Sequence, residues 1–378
     1  MGNLRFVLGK ANWLCLAVGL VIASVMGCKS APRIRWSSVT LQQRLGFGVN
    51  KRYGNVTSFD VRQLRAGWYS DWDISADPPR PAGLEYAQLV SVGHSGSVTD
   101  RQALIQAVKA QRGALWIIGN EPERRALAGA PEEYNYADLT PREYAALYQE
   151  YYQLIKQNDR TALVAIGGVV QPSPLRLRWL SMVLEEYKTL TGKKMPVDIW
   201  NIHVQILREK RAFPDCPDCW GADIPKGIED VKEGLLLEIK DNANFKMLQD
   251  MVWAFRRWMK EQGEQDKPLI ISEYGVLMPS EYLGETAEEG DKVVHKFMTD
   301  SFDFFLNTRD KEVGFPQDDY RLVQKWLWYS LNEPPFHFDE ERKVWVGFNG
   351  GLFDWKNPDW PGTLTPLGRA FAEYAASK

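Results

Sequence analysis

Cysteine and histidine are scarce in this sequence, and it has no strong excess of either charge. The 378 residues include four cysteines and four histidines, and the formal net charge is −3. A nearly neutral chain gives no electrostatic reason to expect a nucleic-acid partner. No Walker loop or dinucleotide-binding fingerprint occurs, and Gly-His-Ser-Gly-Ser at 93–97 departs from the Gly-x-Ser-x-Gly signature of serine hydrolases at its last residue. We therefore expect none of these chemistries.

The few possible metal ligands lack the spacing of a metal site. Cys216 and Cys219 form a Cys-x-x-Cys pair, but a zinc site would need two more ligands, and the usual second pair is missing. In an oxidising compartment the pair can close a local disulfide; otherwise it is simply part of a proline-rich loop. Asp198, His203 and Glu273 also lack a ligand pattern such as His-x-x-x-His. The sequence predicts no metal and no cofactor.

The N-terminus carries an apolar run between basic residues and a cysteine. Residues 13–26 are mostly apolar, Arg5 and Lys10 precede them, and Gly27-Cys28 follows. This order is typical of a secretory signal peptide, and the run is short for a bilayer span. Ser-Val-Met-Gly-Cys resembles a bacterial lipobox, which implies cleavage before Cys28 and lipidation of its thiol. A plain signal peptide or an uncleaved anchor is the alternative.

These features suggest three regions. We predict a signal peptide at 1–27, a tether at 28–42 and one folded domain at 43–378. The lipid on Cys28 would hold that domain on a bacterial membrane or cell surface, outside the cytoplasm.

Strand-like and helix-like segments alternate through the rest of the chain, which indicates an α/β fold with a parallel sheet. Strands are predicted at 45–49, 67–72, 86–92, 114–118, 163–167, 197–203, 269–273 and 322–330. Helices are predicted near 58–66, at 100–111, from Thr140, at 173–187, 242–262 and 291–307, and after Thr365. The helix between the second and third strands is short or absent, and 205–241 is a long insertion. This rhythm matches a (β/α)₈ TIM barrel in a single domain.

In such barrels the chemistry lies at the carboxyl ends of the strands. Asn120-Glu121 ends the fourth strand, within Leu-Trp-Ile-Ile-Gly-Asn-Glu-Pro-Glu, His203 ends the sixth and Glu273 ends the seventh. Glycoside hydrolysis needs one carboxyl group that protonates the leaving oxygen and one carboxylate that attacks the anomeric carbon or activates water. Glu121 and Glu273 fit these places.

The two signatures resemble clan A of the glycoside hydrolases. Those are retaining (β/α)₈ enzymes with an Asn-Glu acid/base at the end of strand four and a glutamate nucleophile at the end of strand seven. Within the clan the sequence looks similar to family 5 or family 39 types and to other bacterial surface relatives. The resemblance implies that Glu121 is the acid/base, that Glu273 is the nucleophile, and that Asn120 holds the 2-hydroxyl of the reacting sugar. Tyr274 would pack below the nucleophile.

The resemblance also implies further sugar contacts. His203 is similar to the histidine that family 5 enzymes place beside the nucleophile, Trp328 or Tyr329 to the aromatic platform after strand eight, and His94 to a polar sugar contact after strand three. The family 5 arginine near strand two has no clear match. Core packing is expected for at least one of Trp326, Trp328 and Tyr329, because alternate strand residues point away from the barrel axis.

A second Asn-Glu-Pro, at 332–334, follows the eighth strand and is expected at most to line an outer subsite. Acid catalysis by Glu121 requires that burial or a nearby carboxylate keep it protonated near neutral pH. The sequence predicts a monomeric, membrane-tethered retaining glycosidase that acts on a β-linked poly- or oligosaccharide. A carbohydrate-binding lipoprotein without turnover is the alternative, and transglycosylation would use the same residues.

Overall fold

Parallel strands surrounded by helices make up the described part of the chain. A computed structural model describes residues 35–93, 98–125, 137–211, 220–341, 343–356 and 360–377. Strands β1 to β11 are Leu45–Gly48, Trp68–Ser70, Glu85–Tyr86, Gln88–Val90, Leu115–Asn120, Leu163–Gly168, Trp200–Val204, Leu269–Tyr274, Lys325–Trp328, His337–Asp339 and Val344–Val346. Helices α1 to α7 are Leu41–Arg44, Arg101–Ala110, Pro141–Asn158, Pro174–Thr191, Phe245–Glu261, Ala287–Asn307 and Pro366–Ser377.

The first nine strands pair in parallel and form the barrel wall. One sheet has the order β3-β2-β1-β9-β8-β7 and the other β4-β5-β6. Strands β3 and β4 flank Ala87 and together occupy one strand position, while isolated bridges from Ala165 to Ile199 and from Val169 to Ile202 link β6 to β7. The barrel is thus not closed by a continuous hydrogen-bonded ladder. All eight predicted strand positions are present, and the predicted (β/α)₈ fold is confirmed.

Helix α3 begins where the sequence predicts. The Thr140 side chain accepts a hydrogen bond from the Glu143 backbone N–H, and the Glu143 carboxylate accepts one from the Thr140 N–H. This reciprocal capping box satisfies two donors that the first helical turn leaves without intrahelical partners. The cap therefore fixes the start of α3, whose Tyr144 donates to the Ile118 carbonyl of β5 at 2.7 Å.

The prediction of an α-helix near 58–66 is wrong. The chain instead makes two short 3₁₀ turns, Val56–Ser58 and Val61–Leu64. Both turns contain a β-branched valine, which lowers helix propensity, and each buries that valine against the core. Burial of a few apolar side chains therefore shapes this connection more than helical hydrogen bonding does.

The barrel axis is filled by side chains from successive strands. Ile117, Ala165, Ile199, Ile270 and Leu327 belong to one buried cluster, which also contains Trp36, Trp68, Ala87 and Phe315. Trp36 meets Phe315 edge to face, with ring centroids 6.3 Å apart. Trp36 and Leu41 are buried, although the sequence analysis assigned both to the tether. The larger apolar cluster lies between the strands and the surrounding helices.

A buried ion cluster lies at the amino ends of β1 and β9. Arg44 donates from both terminal nitrogens to Asp318, each at 2.8 Å, and Arg321 donates to the same carboxylate at 2.8 Å. Arg44 also donates to the Gln324 carbonyl at 2.9 Å. This bidentate pairing links the start of β1 to the start of β9 at the amino-terminal face of the barrel, opposite the carboxyl ends of the strands.

Several predictions fall outside the described residues: the signal peptide at 1–27, the lipidated Cys28, His94, and the pair Cys216 and Cys219. Among the residues that the structure does describe, no helix is both long and apolar enough for a bilayer crossing.

Candidate active site

The carboxyl ends of β5, β7 and β8 bring two glutamates and a histidine together. His203 on β7 pairs in register with Glu273 on β8, after Ile202 pairs with Ile271, so Ser272 is an extra residue in β8. An inserted residue of this kind changes which face the following side chain points to. The bulge therefore changes the face of β8 on which Glu273 lies, while the positions of both glutamates at the carboxyl ends of their strands place them at the same end of the barrel.

Two neutral donors hold the Glu273 carboxylate. The indole N–H of Trp72 donates to Oε2 at 3.0 Å, and the Gln205 side-chain amide donates to Oε1 at 2.8 Å. Gly48 makes room for this arrangement, since a Cβ there would lie 2.5 Å from the Trp72 ring. Each carboxylate oxygen thus has a fixed partner, which orients Glu273 within the cleft.

Glu121 has charged partners instead. Its Oε1 lies 3.0 Å from His203 Nδ1, and its Oε2 accepts from Arg124 Nη1 at 2.9 Å. The backbone of Glu121 has φ = 44°, in the left-handed region that residues other than glycine seldom adopt. Gly168 leaves space for the His203 ring, which a Cβ at that position would overlap. The local backbone therefore places Glu121 above His203 at some conformational cost.

A buried ion network anchors the segment that carries Glu121. Glu123 Oε1 accepts from the Val170 N–H and from Arg176 Nε, both at 2.8 Å, and Arg176 also pairs with Glu209. Arg176 and both glutamates are fully buried. The last residue of the Asn-Glu-Pro-Glu sequence thus ties the loop after β5 to α4 and to the segment after β7.

One ligand atom each from Glu121, His203 and Glu273 lies within 4.8 Å of the other two. His203 Nδ1 is 3.0 Å from Glu121 and 3.9 Å from Glu273. This cluster could surround a cation by distance alone. Its donor chemistry disfavours one, because Arg124 already places a positive charge on Glu121 and neutral N–H donors occupy both oxygens of Glu273.

The surroundings of the two glutamates move their pKa values in opposite directions. Burial raises the pKa of Glu121, but the Arg124 charge and the His203 hydrogen bond outweigh it and lower that pKa to about 2. Burial, together with the negative charge of Glu121, raises the pKa of Glu273 to about 7 even though the charge of His203 opposes it. Burial lowers the pKa of His203, but the two carboxylates outweigh it and leave that pKa raised.

The pair therefore holds one proton below about pH 7 and loses it as the pH rises through that value, and in this structure Glu273 is the better site for it. This contradicts the expectation that Glu121 is the carboxyl kept protonated. The physical reason is Arg124, whose charge lies 2.9 Å from Glu121 and whose position the sequence did not reveal.

Glu121 and Glu273 line a cleft with a volume of about 670 Å³. Of the predicted sugar contacts, Asn120 and Tyr329 line it, and His203 lies buried beneath the carboxylates. The Tyr329 ring lies 5.5 Å from that of Trp72, so the two form an aromatic wall. The lining residues are Asn50, Arg52, Tyr53, Trp72, Leu89, Ser91, Asn120, Glu121, Arg124, Gln205, Leu207, Gly221, Glu273, Leu277, Met278, Tyr329, Glu333, Val346, Gly347 and Phe348.

Trp328 does not line the cleft, contrary to the prediction. It is fully buried, donates its indole N–H to the Gly350 carbonyl at 2.9 Å, and packs edge to face on Tyr274. Strand alternation explains this, since Trp328 and Tyr329 are adjacent and point to opposite faces.

Two side-chain amide oxygens of cleft-lining residues have no hydrogen-bond donor in the described part of the chain. Among the described residues, Asn120 Oδ1 and Gln205 Oε1 are buried and accept no hydrogen bond. A buried acceptor without a donor is costly, and both residues line the cleft, so a small movement of either side chain would let its oxygen accept from a hydroxyl group there. This pattern suits a ligand with several hydroxyl groups.

The second Asn-Glu-Pro has a different role from the first. Asn332 holds the β1 loop, since its Oδ1 accepts from the Asn50 N–H at 2.9 Å and its Nδ2 donates to the Asn50 carbonyl at 2.9 Å. Glu333 reaches the cleft and accepts from Asn50 at 2.6 Å and from Tyr329 at 3.0 Å. Burial raises the pKa of this third carboxyl.

Sequence reasoning missed three residues that bond the two catalytic candidates: Trp72, Arg124 and Gln205. Two of them left a signal. Trp72 ends the second predicted strand, and Gln205 lies two residues after His203, which is the spacing of one strand face. Arg124 left none, because it lies in a loop after Glu121 whose course the sequence does not specify.

No protein-family model matches this chain, and none of the curated proteins does. Solved structures do match. An endo-β-1,3-glucanase of family GH128 from Sorangium cellulosum aligns with a TM-score of 0.50 at 15% identity, covering 87% of this chain and 97% of that one. A glucosidase from Croceicoccus marinus aligns with a TM-score of 0.51 at 12% identity, covering 89% and 68%. At 12–15% identity this likeness shows the fold alone, a (β/α)₈ TIM barrel.

Proposed function

We propose that this protein is a retaining glycoside hydrolase that cleaves β-glycosidic bonds of a poly- or oligosaccharide. The observation that carries the proposal is the carboxyl pair. Oxygens of Glu121 and Glu273 lie within 4.8 Å of each other at the ends of β5 and β8. Retaining glycosidases have carboxyl groups about 5–5.5 Å apart, whereas inverting enzymes need about 6.5–9.5 Å to admit water.

The reaction would proceed by double displacement. Glu273 attacks the anomeric carbon and forms a glycosyl ester, while Glu121 gives its proton to the departing oxygen. Glu121 then removes a proton from water, which attacks the same carbon and releases Glu273. Trp72 and Gln205 orient the nucleophile, and the orphan oxygen of Asn120 is placed to accept from a hydroxyl of the reacting sugar.

These roles require the shared proton to move from Glu273 to Glu121 when substrate binds. His203 lies between them, because its Nδ1 is within hydrogen-bond distance of Glu121 at 3.0 Å and lies 3.9 Å from Glu273. The route requires the second contact to shorten when substrate binds; the Nδ1–H then gives its proton to Glu121, and Nδ1 takes the proton of Glu273. The positive charge that develops on the sugar favours an ionised Glu273, because that carboxylate faces the anomeric carbon. The substrate therefore helps to set the protonation state that the reaction needs.

The test is reducing-end release by the purified protein from β-1,3- and β-1,4-glucans, mannans, xylans and galactans. We expect release from at least one of them, and loss of that release in Glu121→Gln and in Glu273→Gln. Glu186→Gln, on the outer surface of α4 and paired with Arg142, is the matched control and should keep full activity. Activity that survives Glu273→Gln would refute the assignment.

A second candidate function is sugar binding without turnover, and the Arg124–Glu121 ion pair favours it. That pair holds the acid in the form that cannot donate a proton. In this case the wild-type protein would bind an oligosaccharide by calorimetry, would release no product, and would still bind after Glu273→Gln.

Finer assignments belong to the same proposal. We propose that the protein is monomeric, that lipid on Cys28 holds it at the cell surface, and that it is most similar to families 5 and 39 within clan A. The Ser-Val-Met-Gly-Cys sequence supports the lipid anchor, and the two glutamate signatures support the placement within clan A. Metabolic labelling should attach radioactive palmitate to the wild-type protein and not to Cys28→Ser, and a wild-type protein that takes up no label would refute the lipid anchor.

A further inference from the structure

Arg124 is the cation next to the proposed acid. It lines the cleft, its side chain is 20% exposed, and its Nη1 lies 2.9 Å from Glu121 Oε2. His203 contacts the other oxygen of Glu121, Oε1, on the side of Glu273. Arg124 and His203 therefore bond different oxygens of the Glu121 carboxylate.

The second arginine of the cleft lies near a different carboxylate. Two arginines and three glutamates are among the described residues that line the cavity. Arg52 follows β1 and acts on Glu333, whose pKa its charge lowers against the larger effect of burial. Arg124 is thus the arginine placed at Glu121, where the bond to the departing sugar would lie.

A neutral leaving sugar would not displace Glu121 from Arg124. Its hydroxyl groups make weaker bonds to a guanidinium than a carboxylate does, because they carry no charge. A carboxylate on the leaving sugar would compete directly for Arg124, since the planar fork of arginine matches its two oxygens. Glu121 would then lose its cationic partner when it has to donate a proton.

We infer that the cleft takes a glycan with a uronic acid residue on the leaving-group side, whose carboxylate pairs with Arg124. This inference rests on the proposed function, because the leaving-group side is defined by Glu121 as the acid. On this inference Arg124 determines specificity, because it exchanges its ion pair with Glu121 for one with the substrate carboxylate.

The test uses pairs of oligosaccharides that differ only in this carboxylate. β-1,3- and β-1,4-linked glucose tetramers are compared with counterparts in which C6 of a single residue, on the reducing-end side that would become the leaving group, is oxidised to the carboxylate of glucuronate. We expect wild-type kcat/KM to be at least about tenfold higher on one oxidised tetramer than on its neutral partner. Arg124→Gln should remove that preference mainly through kcat/KM on the oxidised sugar, and Arg124→Lys should restore part of it.

Arg125→Gln is the matched control. Arg125 is the next residue, but it pairs with Glu229 and with the Ile224 carbonyl rather than with Glu121. Its replacement removes one positive charge from the same loop and should leave the preference intact. Equal loss in Arg125→Gln and Arg124→Gln would overturn the inference, because the effect would then be one of net charge.

A binding experiment separates this inference from the proposed function. In Glu273→Gln, calorimetry with the same tetramers should show tighter binding of the oxidised one, and the difference should vanish when Arg124→Gln is added. If wild type shows this preference in binding but cleaves nothing, hydrolysis and the leaving-group assignment are refuted, and only the pairing of Arg124 with a uronate carboxylate stands. If wild type cleaves and binds neutral tetramers as well as oxidised ones, the inference is refuted and hydrolysis stands.

Discussion

Replacing each catalytic glutamate by alanine and adding azide would decide which carboxyl group does what. Loss of Glu273 leaves the Trp72 N–H and the Gln205 amide pointing at an empty carboxylate position, where they bonded its oxygens at 3.0 and 2.8 Å. Loss of Glu121 leaves Arg124 and His203 around a similar space. Both spaces suit a small anion, because each presents donors that have lost an acceptor.

The expected rates differ between the two variants. General acid catalysis contributes about 10²–10⁴-fold, so Glu121→Ala should lose about that factor on a natural disaccharide. It should lose much less on a dinitrophenyl glycoside, whose leaving group needs no proton. Glu273→Ala cannot form the glycosyl ester and should lose at least as much on both substrates.

The stereochemistry of the azide product is the decisive measurement. With the dinitrophenyl β-glycoside, Glu121→Ala still forms the glycosyl ester, so azide should displace Glu273 and give the β-glycosyl azide. In Glu273→Ala, azide should attack the substrate directly and give the α-glycosyl azide. Proton NMR of the anomeric centre distinguishes the two products.

Reversed products would refute the assignment and make Glu121 the nucleophile. That outcome is physically meaningful, because in this structure Glu121 has the lowered pKa and Glu273 the raised one. Glu333→Ala serves as the control, since this third carboxyl of the cleft bonds Asn50 and Tyr329 and should give no azide product.

Three other predictions test the site and the fold. With burial raising the pKa of Glu273 to about 7, kcat/KM should fall as pH rises through about 7, where the carboxyl pair loses its proton, and a flat profile to pH 9 would contradict this. Trp72→Phe removes a hydrogen bond to a charged group worth about 1.5–3 kcal/mol, so kcat/KM should fall about tenfold or more with little change in Tm. Asp318→Ala leaves the buried Arg44 without its carboxylate partner and should lower the free energy of unfolding by about 3–5 kcal/mol in urea titrations. The control Asp319→Ala removes an exposed ion pair with Arg309 and should lower the free energy of unfolding by about 0–1 kcal/mol.

The sequence predicted the scaffold well because barrel strands and caps are local patterns. Thr140 with Glu143 marks the start of α3 within four residues, and β-branched runs mark the strands. Numbering the predicted strands along the chain then placed Glu121 at the end of the fourth strand and Glu273 at the end of the seventh. The failed helix near 58–66 shows the limit, because tertiary burial of Val56 and Val61 decided that segment.

The sequence by itself determined the alternation of strands and helices, the cap of α3 and the two strand ends that carry glutamate, since each depends on residues close together in the chain. Only the tertiary structure decided the partners of those glutamates. Trp72 and Gln205 reach Glu273 from 201 and 68 residues away. Arg124 reaches Glu121 through a loop whose course depends on packing. Charge and hydrogen bonding act through space, so the protonation of the pair could not be read from the order of residues along the chain.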